Sequence, residues 1–175
     1  MIETARLVLR RPQPGDARNI LRSYAGDPAV TRYLSWPTHR SVADTWAFLE
    51  WSDAEWARGP AGPYLIFARH GSSRRVLGST GLTFISSEKA STGYALAQRD
   101  WGRGVATEAL GAMVELARTL GLRRLEAICH AEHAASARVL EKCGFRIEER
   151  RLRDTFFPNL LAGVRADVFF YVLDL

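Results

Sequence analysis

The chain has 175 residues, of which 47% are hydrophobic and 25% are charged, and it carries a net charge of +5. This length suits one folded domain, and the composition excludes the disordered and fibrous classes of protein. No apolar run approaches the roughly 20 residues that span a membrane, and the N-terminus lacks the apolar region of a signal peptide. We therefore expect one domain over residues 1–175 that stays in the cytoplasm and has no membrane partner.

The basic residues are dispersed along the chain instead of forming one run. Such a surface suits a small anionic molecule at least as well as a nucleic acid, so no nucleic-acid partner is expected. Cys129 and Cys143 are too few for a zinc site or a disulfide framework, and we expect free thiols and no metal. The dispersed basic residues include four arginine pairs, namely Arg10 and Arg11, Arg74 and Arg75, Arg123 and Arg124, and Arg150 and Arg151.

The first part of the chain predicts one strand followed by two helices. Residues 6–11 alternate apolar and polar side chains, which is typical of a half-buried strand. Asp16 is a candidate N-cap for a helix that ends at Gly26. Ser41 and Asp44 form a variant of the capping box and begin the second helix, which a segment rich in glycine and proline ends. The residues predicted to face inward on that helix are Val42, Thr45, Trp46, Leu49 and Ala54.

The middle of the chain predicts three strands. Residues 64–69 and 76–85 are rich in β-branched, aromatic and other apolar side chains. The short segment 70–74 separates them, which predicts a hairpin. Residues 92–97 form the third predicted strand of this group.

A long helix and a second group of strands complete the chain. Over residues 105–120 the apolar side chains recur at helical spacing, and Gly121 stands where a glycine commonly ends a helix. The elements predicted after it are a strand over 122–129, a helix over 135–142, and strands over 145–151 and 168–173. The order β-α-α-β-β-β-α-β-α-β-β predicts an α/β protein with a mixed sheet and helices on both faces.

A turn with two glycines joins the strand over 92–97 to the long helix. Gly102 and Gly104 allow the backbone to approach an anion closely, and the unpaired N–H groups at the start of the helix point toward it. A dinucleotide fingerprint would need Gly or Ala where Thr107 stands, and the chain has no Gly-Lys-Ser/Thr of a Walker A loop. Two glycines alone more commonly make a plain turn, so the flanking elements carry the interpretation as a pyrophosphate cradle.

Two segments together resemble one enzyme family. The pattern Arg-x-x-Gly-x-Gly-x-Ala over residues 99–106 resembles the coenzyme A loop of the Gcn5-related N-acetyltransferase (GNAT) superfamily. Residues 136–145, Ser-Ala-Arg-Val-Leu-Glu-Lys-Cys-Gly-Phe, resemble a helix and strand of its ribosomal-protein-alanine (RimJ/RimL-type) branch, and residues 3–12 resemble that branch's first strand. The resemblance implies the GNAT fold, an α+β arrangement around a central mixed, mostly antiparallel sheet. This sheet is splayed between its fourth and fifth strands and has helices on both faces.

The resemblance also implies acetyl-CoA or coenzyme A as the cofactor. Its diphosphate needs several converging N–H donors, which the backbone over 102–107 can supply, while Arg99 or Arg103 adds charge worth about 1–3 kcal/mol. Its pantetheine amides need a strand-like partner, which residues 94–97 can form. The predicted cofactor-binding residues are Leu96, Ala97, Arg99, Trp101, Gly102, Arg103, Gly104, Val105, Ala106, Thr107, His133 and Ser136.

The same resemblance implies two candidate catalytic groups. A backbone N–H near Leu96 would hold the oxyanion of the thioester carbonyl, a role worth roughly 3–4 kcal/mol. Many relatives carry a tyrosine acid at the position of Leu140, which excludes that acid here. The RimJ/RimL-type branch has an Asn-x-x-Ser pattern, so Ser136 takes the candidate role of donor to the sulfur, and His133 replaces the asparagine. Ser136 could equally be only a helix N-cap, and His130 and His133 only solvent-facing loop residues.

We therefore expect an N-acetyltransferase in which a primary amine attacks acetyl-CoA directly in a ternary complex. The RimJ/RimL-type resemblance favours a protein N-terminal α-amino group as acceptor, with polyamines and antibiotics as alternatives. A coenzyme A-binding or nucleic-acid-binding module without catalysis is the alternative from another class. The protein is expected to be a monomer or a homodimer. Tyr33, Trp36, Trp46 and Trp51 either line an acceptor pocket or belong to the core, and the core is favoured for Trp46 and Trp51.

Overall fold

A computed structural model describes residues 1–70, 75–160 and 163–175 of the chain. Within these residues the strands form one sheet of eight. The strands are Ile2–Glu3 (β1), Leu7–Arg10 (β2), Pro63–Ala68 (β3), Gly78–Phe84 (β4), Lys89–Leu96 (β5), Arg124–His130 (β6), Arg146–Phe156 (β7) and Arg165–Asp174 (β8). The helices are Ala17–Ile20 (α1), Pro28–Thr31 (α2), Val42–Arg58 (α3), Val105–Thr119 (α4) and Ala134–Lys142 (α5).

The sheet order is β1-β2-β3-β4-β5-β6-β8-β7, and every neighbouring pair is antiparallel except β5 and β6. These two parallel strands pair only where Lys89, Ala90 and Ser91 face residues 124–126. Beyond that point β5 stays with β4 as far as Leu96, whereas β6 stays with β8 as far as His130. A V-shaped gap therefore opens between β5 and β6. The predicted mixed, mostly antiparallel sheet, splayed at this place, is confirmed.

Helices cover both faces of the sheet, as predicted. On one face, α4 and α5 bury a large cluster that includes Leu110, Met113 and Leu140. On the other, α1 and α3 bury a smaller cluster around Ile20 and Leu49. The predicted bounds of α3, α4 and α5 agree with the structure to about one residue, because each helix has a regular apolar stripe and clear end signals.

The first predicted helix is broken. A 3₁₀ turn (Pro14–Asp16), α1 and a π turn (Leu21–Ala25) replace it. Asp16 is the N-cap residue of α1, as predicted, but its side chain makes no capping bond. Its carboxylate accepts from both Nη atoms of Arg10 at 2.8 Å and from the N–H of Gln13. The ion pair with Arg10 on β2 thus takes the place of a capping bond from the Asp16 side chain. After this segment, α2 starts at Pro28 with Asp27 as its N-cap, which the sequence pattern did not indicate.

The inner face of α3 differs from the prediction. Ser41 and Asp44 do form the capping box, but the buried side chains are Thr45, Leu49, Ser52 and Glu55. Trp46 is 43% exposed, Trp51 is 46% exposed, and Ala54 is exposed, so the inward positions of Trp46 and Ala54 and the core position of Trp51 are wrong. The buried stripe follows the helical period from Thr45, and three of its four side chains are polar, whereas the prediction followed hydrophobicity.

The remaining differences are small. β1 has two residues and was too short to predict, and β7 extends five residues beyond its predicted end at 151. The hairpin of β3 and β4 is confirmed, while residues 71–74 of its predicted turn lie outside the described part of the chain. Cys129 and Cys143 are free thiols, as expected. Among the described residues, no helix is long and apolar enough to span a membrane.

Candidate active site

The two-glycine turn lies at the N-terminus of α4. Gly102 has φ +72° and Gly104 has φ +75°, both in the left-handed region that side chains with a Cβ rarely adopt. Gly104 is the N-cap, and the first helical bond runs from the N–H of Glu108 to its carbonyl. The N–H groups of residues 105–107 therefore have no partner within the helix, and the turn before them is exposed. This geometry suits an anion.

An ion pair holds the base of this turn. Arg75 donates two hydrogen bonds to the buried carboxylate of Asp100, at 2.6 and 3.0 Å. These bonds outweigh burial and raise the pKa of Arg75. The next residue, Trp101, donates from its indole N–H to the carbonyl of Leu96 at 2.9 Å, and Arg99 stays exposed. The turn is thus anchored by the two residues that precede its first glycine.

A second anchor reaches the turn from the N-terminal strands. Arg6 donates to Glu108 in the first turn of α4 through its Nε, at 2.6 Å, and through its backbone N–H, at 2.9 Å. Nη1 of Arg6 donates to the carbonyl of Arg103 at 3.0 Å. The Thr4 hydroxyl donates to the carboxylate of Glu108. Burial alone would raise the pKa of Glu108, but the bonds from Thr4 and Arg6 lower it. The sequence pattern placed Arg6 only in the first predicted strand and did not indicate this contact.

The end of β5 borders the gap. The N–H of Ala97 donates to the carbonyl of Leu77 beside β4, at 2.8 Å. Successive peptide groups of a strand point to opposite edges, so the N–H of Leu96 faces the gap toward β6. The buried side chain of Leu96 packs into the core below. The N–H of Leu96 therefore points into the place where the strands part.

Ser136 lies across this gap on α5. The N-cap of α5 is His133, and Ser136 is the third helical residue, so the interpretation of Ser136 as an N-cap is wrong. The hydroxyl oxygens of Tyr94 on β5 and Ser136 lie 2.9 Å apart, and Tyr94 donates to the Ser136 carbonyl at 3.0 Å. Burial raises the pKa of Tyr94 well above its ordinary value despite the bond to Ser136. The sequence analysis considered only the backbone of Tyr94 and missed its hydroxyl.

The two histidines beside Ser136 are not solvent-facing. His130 is buried, and its Nδ1 accepts from the N–H of Glu132 at 3.1 Å. The ring of Tyr33 lies 4.7 Å, centroid to centroid, from those of both His130 and His133. Burial lowers the pKa of both histidines, and for His133 the neighbouring charge of His130 lowers it further. The charged form of both rings is therefore disfavoured.

A cleft of about 1390 Å³ runs from the gap to the surface. Its inner end includes Tyr94, Cys129, Ser136 and Leu140. Six aromatic side chains line it farther out, namely Tyr33, Trp36, Phe48, Trp51, Phe157 and Phe170. A cleft lined by aromatic side chains together with polar groups is typical of a site for a substrate.

Asn159, in the segment between β7 and β8, fixes one rim of the cleft. Its side-chain N–H₂ donates to the carbonyls of Thr31 and Trp36, each at 2.8 Å. Its carbonyl oxygen accepts from the N–H and the hydroxyl of Thr38, at 2.8 and 3.0 Å. All the hydrogen-bonding capacity of this amide is used, so the connection between α2 and α3 is held in place.

This fold and site define an acyltransferase. Residues 6–146 match the family model described as an acetyltransferase (GNAT) domain. The chain belongs to the GNAT acetyltransferases, enzymes that use acetyl-CoA and an amine acceptor. The predicted family, enzyme class and cofactor are thereby confirmed.

Known proteins similar to this chain carry names consistent with that class. An uncharacterized N-acetyltransferase, p20 of Bacillus licheniformis, is 30% identical over 154 residues, which cover 86% of this chain and 84% of p20. The microcin C7 self-immunity acetyltransferase MccE, solved with acetyl-CoA and AMP, has a TM-score of 0.86 at 19% identity over 98% of this chain and 94% of that one.

A third similar structure is the Salmonella typhimurium acetyltransferase that modifies the N-terminal serine of ribosomal protein L7/L12. It has a TM-score of 0.83 at 23% identity, and the match covers 98% of this chain and 96% of that one. At these identities the two structures establish the fold alone. The ribosomal-protein enzyme among them agrees with the RimJ/RimL-type branch that the sequence resembles.

Proposed function

We propose that the protein transfers the acetyl group of acetyl-CoA to the α-amino group of a protein N-terminus, by direct attack in a ternary complex. The observation that carries this proposal is the gap between β5 and β6, whose open end lies beside the cradle of α4 and whose edges line the aromatic cleft. A ligand lying along it would reach both the free amides of the helix and the cleft.

The chain offers donors along the whole length of this path. The N–H groups over 102–107 bind the diphosphate in this proposal, and Arg99 and Arg103 add positive charge. The turn fits this group because both glycines hold left-handed backbone, and a Cβ on Gly104 would lie 3.3 Å from Nη2 of Arg6. The full set proposed to contact the cofactor is Leu96, Ala97, Arg99, Trp101, Gly102, Arg103, Gly104, Val105, Ala106, Thr107, His133 and Ser136.

Two groups at the gap act on the reacting atoms in this proposal. The N–H of Leu96 stabilises the negative charge that develops on the acyl oxygen, an effect worth roughly 3–4 kcal/mol. The Ser136 hydroxyl donates a hydrogen bond to the sulfur as the carbon–sulfur bond breaks and the carbon–nitrogen bond forms. The acceptor amine attacks only as the free base, and the proton that its nitrogen loses as the amide forms passes, directly or through water, to the departing sulfur, which leaves as the thiol of coenzyme A.

The charges of the cleft favour a peptide over a polyamine. Among the described residues that line it, the carboxylates are Asp44 and Glu126. Asp44 accepts from the N–H groups of Arg40 and Ser41, at 2.8 and 2.9 Å, and Glu126 accepts from Arg124 at 3.0 Å. Glu126 is thus already paired with an arginine, which leaves Asp44 of these two for a cation. A polyamine has several charges to match, whereas an N-terminal amine has one.

A thiol-release assay tests the acceptor. Each reaction contains the protein, acetyl-CoA and one candidate acceptor. The acceptors are peptides that differ in their N-terminal residue, spermidine and an aminoglycoside. We expect release with at least one peptide at a kcat/KM tenfold or more above both small amines. The same peptide with a blocked N-terminus and a free lysine is the matched control and should stay at background. Faster release with spermidine or the aminoglycoside, or background release throughout, would overturn the proposed acceptor.

A further inference from the structure

A side-chain hydrogen bond bridges the two elements that border the gap. Tyr94 on β5 and Ser136 on α5 are 42 residues apart in the chain, yet their hydroxyl oxygens lie 2.9 Å apart. The Tyr94 hydroxyl also lies 3.0 Å from the Ser136 carbonyl. The phenol therefore holds both the backbone and the side chain of Ser136.

We propose that Tyr94 is a positioning residue: its phenol fixes the Ser136 hydroxyl in the orientation that presents its proton to the sulfur of the cofactor. The inference rests on the proposed role of Ser136 as the donor to that sulfur. Tyr94 itself does not contact the reacting atoms in this arrangement.

The number of protons determines how these hydroxyls can bond. Tyr94 and Ser136 each carry one hydroxyl proton, and a carbonyl can only accept. While Tyr94 donates to the Ser136 carbonyl, the Ser136 proton is free to bond to Tyr94. When negative charge develops on the sulfur, Ser136 turns its proton to the sulfur, and Tyr94 donates to the serine oxygen. Hydrogen bonds in such a chain polarise one another, so the bond to sulfur becomes stronger.

Tyr94 keeps its proton throughout this exchange. Burial raises the pKa of its phenol well above the ordinary value, so the tyrosinate is strongly disfavoured. The apolar side chain of Leu140 and the Cys129 thiol also line this inner end of the cleft. The phenol thus acts as a neutral donor that orients Ser136, and it supplies no proton to the product.

Tyr94→Phe tests this role while it preserves the ring. We expect kcat for thiol release to fall about five- to tenfold, the effect of one lost hydrogen bond, with the KM for acetyl-CoA within twofold of wild type. Tyr171→Phe is the matched control, since the Tyr171 hydroxyl also bonds to α5, at Glu141 and 3.2 Å, but not to Ser136. This control should keep the wild-type kcat. Thermal unfolding of both variants reports whether either has lost its fold.

A double-mutant cycle separates positioning from general packing. If Tyr94 acts through Ser136, Tyr94→Phe has no further effect on kcat in a Ser136→Ala background. If the double variant loses kcat by the product of the two single losses, or if Tyr94→Phe alone keeps the wild-type kcat, the positioning role is overturned while the role of Ser136 stands. An unchanged kcat in Ser136→Ala would instead overturn both.

Discussion

Arg6 and Glu108 are 102 residues apart in the chain, yet Nε of Arg6 lies 2.6 Å from Oε2 of Glu108 at the N-terminus of α4. The same guanidinium donates to the carbonyl of Arg103 in the two-glycine turn. A residue of the turn between β1 and β2 thus holds the two-glycine turn against the helix that follows it.

Arg6→Ala should raise the KM for acetyl-CoA about two- to fivefold, because an exposed ion pair of this kind is worth about 0.2–1 kcal/mol. The measurement is initial velocity against acetyl-CoA concentration at two salt concentrations, and the difference from wild type should shrink at high salt. Arg11→Ala is the matched control, since Arg11 forms a similarly exposed pair with Asp53 on α3. Equal effects of the two variants would contradict the anchoring role.

Gly104→Val should weaken coenzyme A binding at least tenfold, since a Cβ at φ +75° both strains the backbone and lies 3.3 Å from Nη2 of Arg6. Isothermal titration with coenzyme A measures the affinity. Gly121→Val is the control, because Gly121 has φ +74° at the other end of α4 and open space around its Cβ position. Both variants should lose similar stability, but only Gly104→Val should lose affinity. Unchanged affinity in a folded Gly104→Val protein would refute the cradle.

The histidines beside the cleft should make stability depend on pH. Burial lowers the pKa of His133 in the folded state below its unfolded value of about 6.5, so below that pH the unfolded chain binds more protons than the folded one. Stability attributable to His133 is therefore complete above about pH 6.5 and decreases as the pH falls through that value.

Urea unfolding at pH 5.5, 6.5 and 7.5 measures this dependence. His133→Asn should lose less stability than wild type between pH 6.5 and 5.5. His70→Asn, at an exposed position, is the control and should follow wild type. If His133→Asn and wild type lose stability in parallel, His133 does not contribute to the pH dependence.

Asn159→Ala should raise the KM for the amine acceptor more than the KM for acetyl-CoA. The change removes four hydrogen bonds between the β7–β8 segment and residues Thr31, Trp36 and Thr38, which hold the rim of the cleft. We expect the acceptor KM to rise about threefold or more, as for the loss of one to two net hydrogen bonds. The KM for acetyl-CoA is the internal control. Equal changes in both constants would indicate a general loss of structure instead.

The amino-acid sequence was sufficient wherever the determining interactions are local. The helix α4, its C-terminal Gly121 and the capping box of Ser41 and Asp44 each follow from residues within a few positions of one another. The cradle itself is also local, because two left-handed glycines and a helix N-terminus are contiguous in the chain. For the same reason, the pattern over residues 99–106, together with that over residues 136–145, indicated the enzyme family.

The interactions that only the tertiary structure decided join residues distant in sequence. The bond between Tyr94 and Ser136, the anchor from Arg6 and the amide of Asn159 depend on which strands are neighbours, and hydrophobic periodicity contains no information on that. The exposed position of Trp46 has the same cause, since the side chains that pack against α3 select which of its faces is buried. Local spacing thus determines the elements and the cradle, whereas the assembly of the sheet determines which side chains meet in the gap.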